Sequence, residues 1–162
     1  MERFLIALDC QPGCVKIIEY MVRVLKGTQN CEFKIFHILA TESPDKLRME
    51  EVRRIEHMHA ARPDLAGYFW KKQDEKTMEG CFSQAMEKLV LGGFRPESAM
   101  FLFAVQSGDM AEIILAKAAE LGCSTVVLGR RRPSLVKALL LGSVSASVVK
   151  SAHRSTVWVI EI

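Results

Sequence analysis

Apolar positions along the chain fall into five short runs separated by stretches of helical periodicity. Phe4 to Leu8 (FLIAL), Phe33 to Leu39 (FKIFHIL), Met100 to Val105, Thr125 to Leu128 and Thr156 to Ile162 (TVWVIEI) are the runs. Runs of this length, ended by turn residues, predict strands, and the first two read as buried on both faces. Between them, Val15, Ile18, Met21, Val22 and Leu25 recur at helical spacing, and Gly27 sits where a left-handed cap would stop the helix. Within residues 67–91, Met78, Phe82, Ala85, Met86 and Leu89 repeat with a period near 3.6, and Gly92 and Gly93 follow. Asp109 with Glu112 three residues on predicts a capping box, and Gly122 closes that helix. Ser143 is placed to cap a helix through about Ser151. Thr41 to Leu65 is polar, with Glu50 and Arg54 at i,i+4 spacing and Pro63 as a breaker, so residues 41–66 read as a solvated helical connection. Five strands alternating with helices predict a three-layer α/β sandwich with a parallel sheet and right-handed crossovers.

A chain of 162 residues suits one domain spanning 1–162. Hydrophobic residues at 49% and charged residues at 25% are ordinary for a soluble fold. The formal charge of +3 is too small to imply nucleic acid, so any argument from charge is local. The apolar run near the N-terminus is too short for a signal-peptide core or a membrane span, which leads us to expect a cytoplasmic protein without membrane contact. Cys10, Cys14, Cys31, Cys81 and Cys123 form no ligand pattern and read as free, buried thiols. Cys10 and Cys14 flank the turn after the first strand, which leaves a redox role open for them.

Open parallel sheets bind ligands beyond the carboxyl ends of their strands, where the strand order reverses. Asp9 to Cys14 and Gly129 to Pro133 occupy such positions. Gly142 and Ser143 open a helix whose free N–H groups and positive dipole end favour an anion. Arg130, Arg131 and Arg132 stand together after the fourth strand, either facing solvent or awaiting an anion. Asp9 reads equally as a cap of the first helix. His57 and His59 lie on different faces of a helix and make a poor metal pair. His37 reads as a hydrogen-bonded residue of a buried strand, and GYFW at 67–70 as a packing cluster. No triad, carboxylate pair or metal cluster assembles from the motifs, so we expect no enzyme or at most slow ATP hydrolysis.

LGRRRPSLVKALLLGSVSASVVKSAHRSTVWVI resembles the C-terminal signature of the universal stress protein family, and LIALDCQPGCVKIIEYMV its opening strand, acid and first helix. FKIFHIL is similar to the second strand, and VQSGDMAEIILAKAAELGCSTVVLG to the third helix and fourth strand. The resemblance covers about two thirds of the chain and excludes Thr41 to Phe94. It implies a Rossmann-like fold of the adenine nucleotide alpha hydrolase type, strand order 3-2-1-4-5, and a stress-response or regulatory role. It also implies ATP or AMP as ligand and a homodimer paired through Thr156 to Ile162. Residue by residue, Asp9 matches the ribose-facing acid and Ile38 a backbone position at the adenine. Gly129, Gly142 and Ser143 match the phosphate motif, with Val144 and Ser145 adding backbone N–H groups.

Arg132 stands where the family has its second motif glycine. If that position needs a left-handed backbone, a side chain costs about 1 to 2 kcal/mol, and an arginine–phosphate bond returns roughly 1.5 to 3 kcal/mol. The alternatives to a nucleotide-binding domain are therefore a protein-interaction module of the same fold, an adenine-nucleotide-dependent enzyme, and a nucleic-acid binder using Lys137, Lys150 and Arg154 with the arginines. The enzyme lacks a phosphate-clamping set and the nucleic-acid binder lacks interleaved aromatics.

Overall fold

The computed structural model describes residues 1–28, 30–41, 54, 55, 57, 70–131 and 142–162. Five parallel strands form its centre: β1 (Glu2–Ala7), β2 (Cys31–Leu39), β3 (Ala99–Val105), β4 (Thr125–Arg130) and β5 (Thr156–Glu161). Their order is β3-β2-β1-β4-β5, as the resemblance implied. The helices are α1 (Lys16–Val24), α2 (Lys72–Leu91), α3 (Met110–Glu120) and α4 (Ser143–Ser151), with a short 3-10 turn at Pro96–Ser98. The polar connection expected at 41–66 falls almost wholly outside the described residues, as do Arg132, Tyr68 and Phe69.

The reason for a continuous apolar run is visible in β1. Phe4 and Ile6 join the core under α1 and α2, while Leu5, between them, joins the core on the opposite face. Val127 and its neighbours Val126 and Leu128 divide in the same way on β4. A central parallel strand covered by helices on both faces has no position to give to solvent. The first core holds Ile17, Ile18 and Met21 of α1 with Met78, Cys81, Ala85 and Leu89 of α2. The second holds Ala111, Ile114 and Ala118 of α3 with Val148 of α4.

Local signals set most boundaries. Gly27 and Gly122 are left-handed at φ +81° and +62°, as cap glycines are. Asp109 accepts the N–H groups of Ala111 and Glu112 at 2.8 and 3.1 Å, which ties down the start of α3. The helix after the long connection begins at Lys72, behind Trp70 of the aromatic cluster. Trp70 precedes it, is only 3% exposed, meets Phe103 edge-on at 5.6 Å and donates its indole N–H to Glu75. Ser143 is the first helical residue of α4 and not its cap; Gly142 holds the cap position, with φ −51° and ψ 150°, and no side chain caps the helix. Asp9 is no helix cap either, since α1 starts at Lys16 behind an uncapped Val15.

Candidate functional site

The chain passes β1, β2 and β3 in one direction and then places β4 on the other side of β1. α1, which follows β1, and α4, which follows β4, pack on opposite faces of the sheet, and an opening lies between them at the carboxyl ends of the two strands. A cavity of about 570 Å³ lies there, within the range of small-molecule sites. Asp9, Ile38, Gly129, Gly142, Ser143, Val144 and Ser145 all line it. The topology thus gathers every site residue expected from the sequence that lies among the described residues.

Each part of the wall follows from a local cause. The start of α4 opens into the cavity with no side-chain cap, so its dipole end and first N–H groups face the space. Gly142 suits a close approach, because a Cβ added there would find its nearest neighbour among the described residues, Ser145 Oγ, 4.0 Å away. Gly129 is a different case. A Cβ there would come within 2.8 Å of Ile17 Cδ1 and 3.1 Å of Ile162 Cδ1, so packing under β4 alone accounts for this glycine. Ser145 is buried, and its hydroxyl donates to the Gly129 carbonyl at 3.4 Å, which joins the two glycine-bearing segments.

At the other end, Asp9 is held on both oxygens. Oδ1 accepts the Gln11 N–H at 3.1 Å, an Asx-type turn. Oδ2 accepts Nη2 and Nε of Arg131 at 2.9 and 3.1 Å, and Nη1 of the same guanidinium reaches the Pro12 carbonyl at 3.4 Å. The run of arginines is thereby resolved in part: Arg130 ends β4, Arg131 turns back across the cavity mouth to the acid, and Arg132 is outside the described residues. Both side chains of the pair are 48% exposed, and such pairs contribute about 0 to 1 kcal/mol.

The wall also holds Arg131 and His37, which sequence reasoning did not assign to it. Arg131 was weighed only for solvent or an external anion, and its partner is 122 residues away. His37 was expected in the core and is hydrogen-bonded as expected, with Nδ1 donating to the Leu8 carbonyl at 2.7 Å, yet it also lines the cavity. That bond sets the Nδ1–H tautomer of the neutral ring and leaves Nε2 as an acceptor. Among the described residues no group of His, Cys, Asp or Glu could hold a metal ion, and no helix is long and apolar enough to cross a membrane.

The fold is similar to several solved structures. A universal stress protein from Archaeoglobus fulgidus superposes with a TM-score of 0.61 at 16% identity, over 99% of this chain and 93% of that one. A universal stress protein in complex with cAMP gives 0.60 at 16% identity, over 99% and 96%. A universal stress protein family protein from Arabidopsis thaliana with AMP bound gives 0.61 at 15% identity, over 99% and 92%. At these identities the likeness is one of fold. No curated protein sequence matches the chain. The model of the universal stress protein family, however, matches residues 1–160, and with the sheet order and cleft described above this chain belongs to the universal stress protein family.

Proposed function

We propose that the chain is a non-catalytic regulatory domain that holds an adenine nucleotide, ATP or AMP, in the cleft between β1 and β4. One observation carries this reading: an uncapped helix N-terminus, an acid and an apolar strand wall converge on one cavity of about 570 Å³. The N–H groups of Ser143, Val144 and Ser145 at the start of α4 would hold phosphate, with Gly142 allowing close approach. Asp9 would take the ribose hydroxyls and the Ile38 backbone the adenine. The chemistry of the wall fits such a ligand, and relatives of the same fold carry AMP and cAMP.

The Asp9–Arg131 pair favours a second reading, a protein-contact module without nucleotide, because the acid is already engaged. Magnitudes argue against it. Displacing a half-exposed pair costs about 0 to 1 kcal/mol, and a ribose hydroxyl on a carboxylate returns roughly 1.5 to 3 kcal/mol. The nucleotide wins by this comparison, and Arg131, once released, stands at the rim as a cation. In this reading the protein acts as a cytosolic homodimer joined through β5 and turns over no ATP above a buffer control.

The test is the mass spectrum and absorbance ratio of a mild acid extract of freshly purified protein, followed by calorimetry with ATP, AMP and adenosine. We expect an adenine nucleotide in the extract or saturable binding of one. No binding at millimolar ligand, in a protein with native circular dichroism, leaves the protein-contact module as the function.

A further inference from the structure

Cys10 and Cys14 lie on the loop between β1 and α1, and Cys81 lies in the middle of α2. The fold brings the three thiols together. Cys14 Sγ lies 3.0 Å from Cys81 Sγ, and the Cys10 thiol is close enough to Cys81 to act on it electrostatically. All three are at most 6% exposed, and Cys10 additionally lines the cleft. Cys10 sits at φ +53°, a left-handed conformation that a side chain seldom adopts. The other two cysteines show the bland alternative. Cys31 opens β2 and Cys123 precedes β4, at the opposite ends of the strands, and each is buried as a small hydrophobe.

We infer that Cys14 and Cys81 form a modification site: a dithiol that a two-electron oxidant of the peroxide class converts to a reversible disulfide joining the β1–α1 loop to α2. Disulfide sulfurs lie about 2.05 Å apart, so the two need to close by roughly 1 Å from 3.0 Å. One sulfur, as thiolate, attacks the peroxide; the O–O bond breaks, water leaves and a sulfenic acid remains. The second sulfur then displaces the sulfenic oxygen as another water. Two electrons pass from the two sulfurs to the peroxide, and the two thiol protons end in the two waters.

The setting also fixes the chemistry's pace. The Cys14–Cys81 contact and burial push Cys14 well above the ordinary thiol range, and Cys81 is pushed up to about 12, chiefly by the neighbouring Cys10 thiol. Thiolate is the attacking species, so oxidation is slow at neutral pH and accelerates as pH rises. The pair therefore answers to sustained oxidant rather than to traces. Of the three thiols Cys10 lines the cleft, whose wall it shares with Asp9. The resulting link ties the loop bearing Asp9 to a helix 67 residues further along the chain.

The test exposes the folded full-length protein to excess hydrogen peroxide at mildly alkaline pH, then alkylates it in denaturant and digests it with trypsin without reduction. We expect a loss of two hydrogens in the intact mass and one cross-linked product, peptide 4–16 joined to peptide 77–88, which a dithiol reductant removes. Cys31 and Cys123 are expected to remain alkylated. Cys14→Ser is expected to lower the yield at least tenfold, and Cys10→Ser to retain the product. A product that persists in Cys14→Ser belongs to Cys10 and overturns the pairing. The wild-type protein decides the matter without variants: a link that forms only after unfolding in urea, or no faster than oxidation of Cys31 and Cys123, overturns the site.

Discussion

Two residues of the cleft separate ligand contact from internal structure. Gly142 has an ordinary backbone conformation and room at its Cβ position among the described residues, so Gly142→Ala should cost no more than the exchange of a glycine cap for alanine, about 1 kcal/mol. If phosphate lies against the start of α4, the added methyl intrudes on it, and calorimetry should show ATP affinity falling at least tenfold. Unchanged affinity would place the phosphate elsewhere. Arg131 poses the opposite case. It competes with ribose for Asp9, so Arg131→Gln frees the acid and should raise affinity for adenosine, up to about fivefold for a pair worth about 1 kcal/mol. Adenosine is the right probe, because it has no phosphate for the arginine to follow. A weaker response to adenosine in the variant would show that Arg131 holds the ligand rather than excluding it.

At the scale of elements, α1 and α2 lie close enough that a side chain at Gly92 would overlap Val22. That close approach seats Lys88 on Glu19 at 2.7 Å across the helix pair and brings Cys81 down to the β1–α1 loop. The ion pair is exposed and adds little, so the packing itself is the term that matters. Gly92→Ala should destabilise the fold by about 1 to 3 kcal/mol, as overpacking does. The midpoint of urea unfolding checks this. A midpoint equal to wild type would mean that the helices separate at little cost.

For the whole molecule, β5 lies at one edge of the sheet. Thr156 donates its N–H to Ser124 and Ile162 donates to Arg130, so the even-numbered residues of β5 bond to β4. Alternation along a strand then turns the N–H groups of Val157 and Val159 outward, to an edge that carries one carboxylate. A twofold axis permits that edge to pair antiparallel with its own copy. Light scattering behind a size-exclusion column should give twice the mass of the chain. Val159→Pro removes an outward donor and leaves the β4 ladder intact, so it should yield a folded monomer by circular dichroism. A wild-type monomer at tens of micromolar, about where weak interfaces still populate, would remove β5 as the interface.

A continuous apolar run is a local property, and such runs were enough to place all five strands and to show that β1 and β2 are buried on both faces. Capping is local too, which is why Asp109, Gly27 and Gly122 could be read in advance. The start of α4 could not, because serine and glycine both suit a cap position and adjacent residues offer both; Gly142 takes it. The order of the strands came through resemblance, since local patterns carry no information about which strand lies beside which. The side-chain partners that depend on that order were left to the tertiary structure. Arg131 meets Asp9, Cys81 meets Cys14 and His37 meets the Leu8 carbonyl only because β1 sits between β2 and β4 in one register. A side chain finds a distant partner through the position of two backbones, and that position is a property of the packed sheet rather than of either segment.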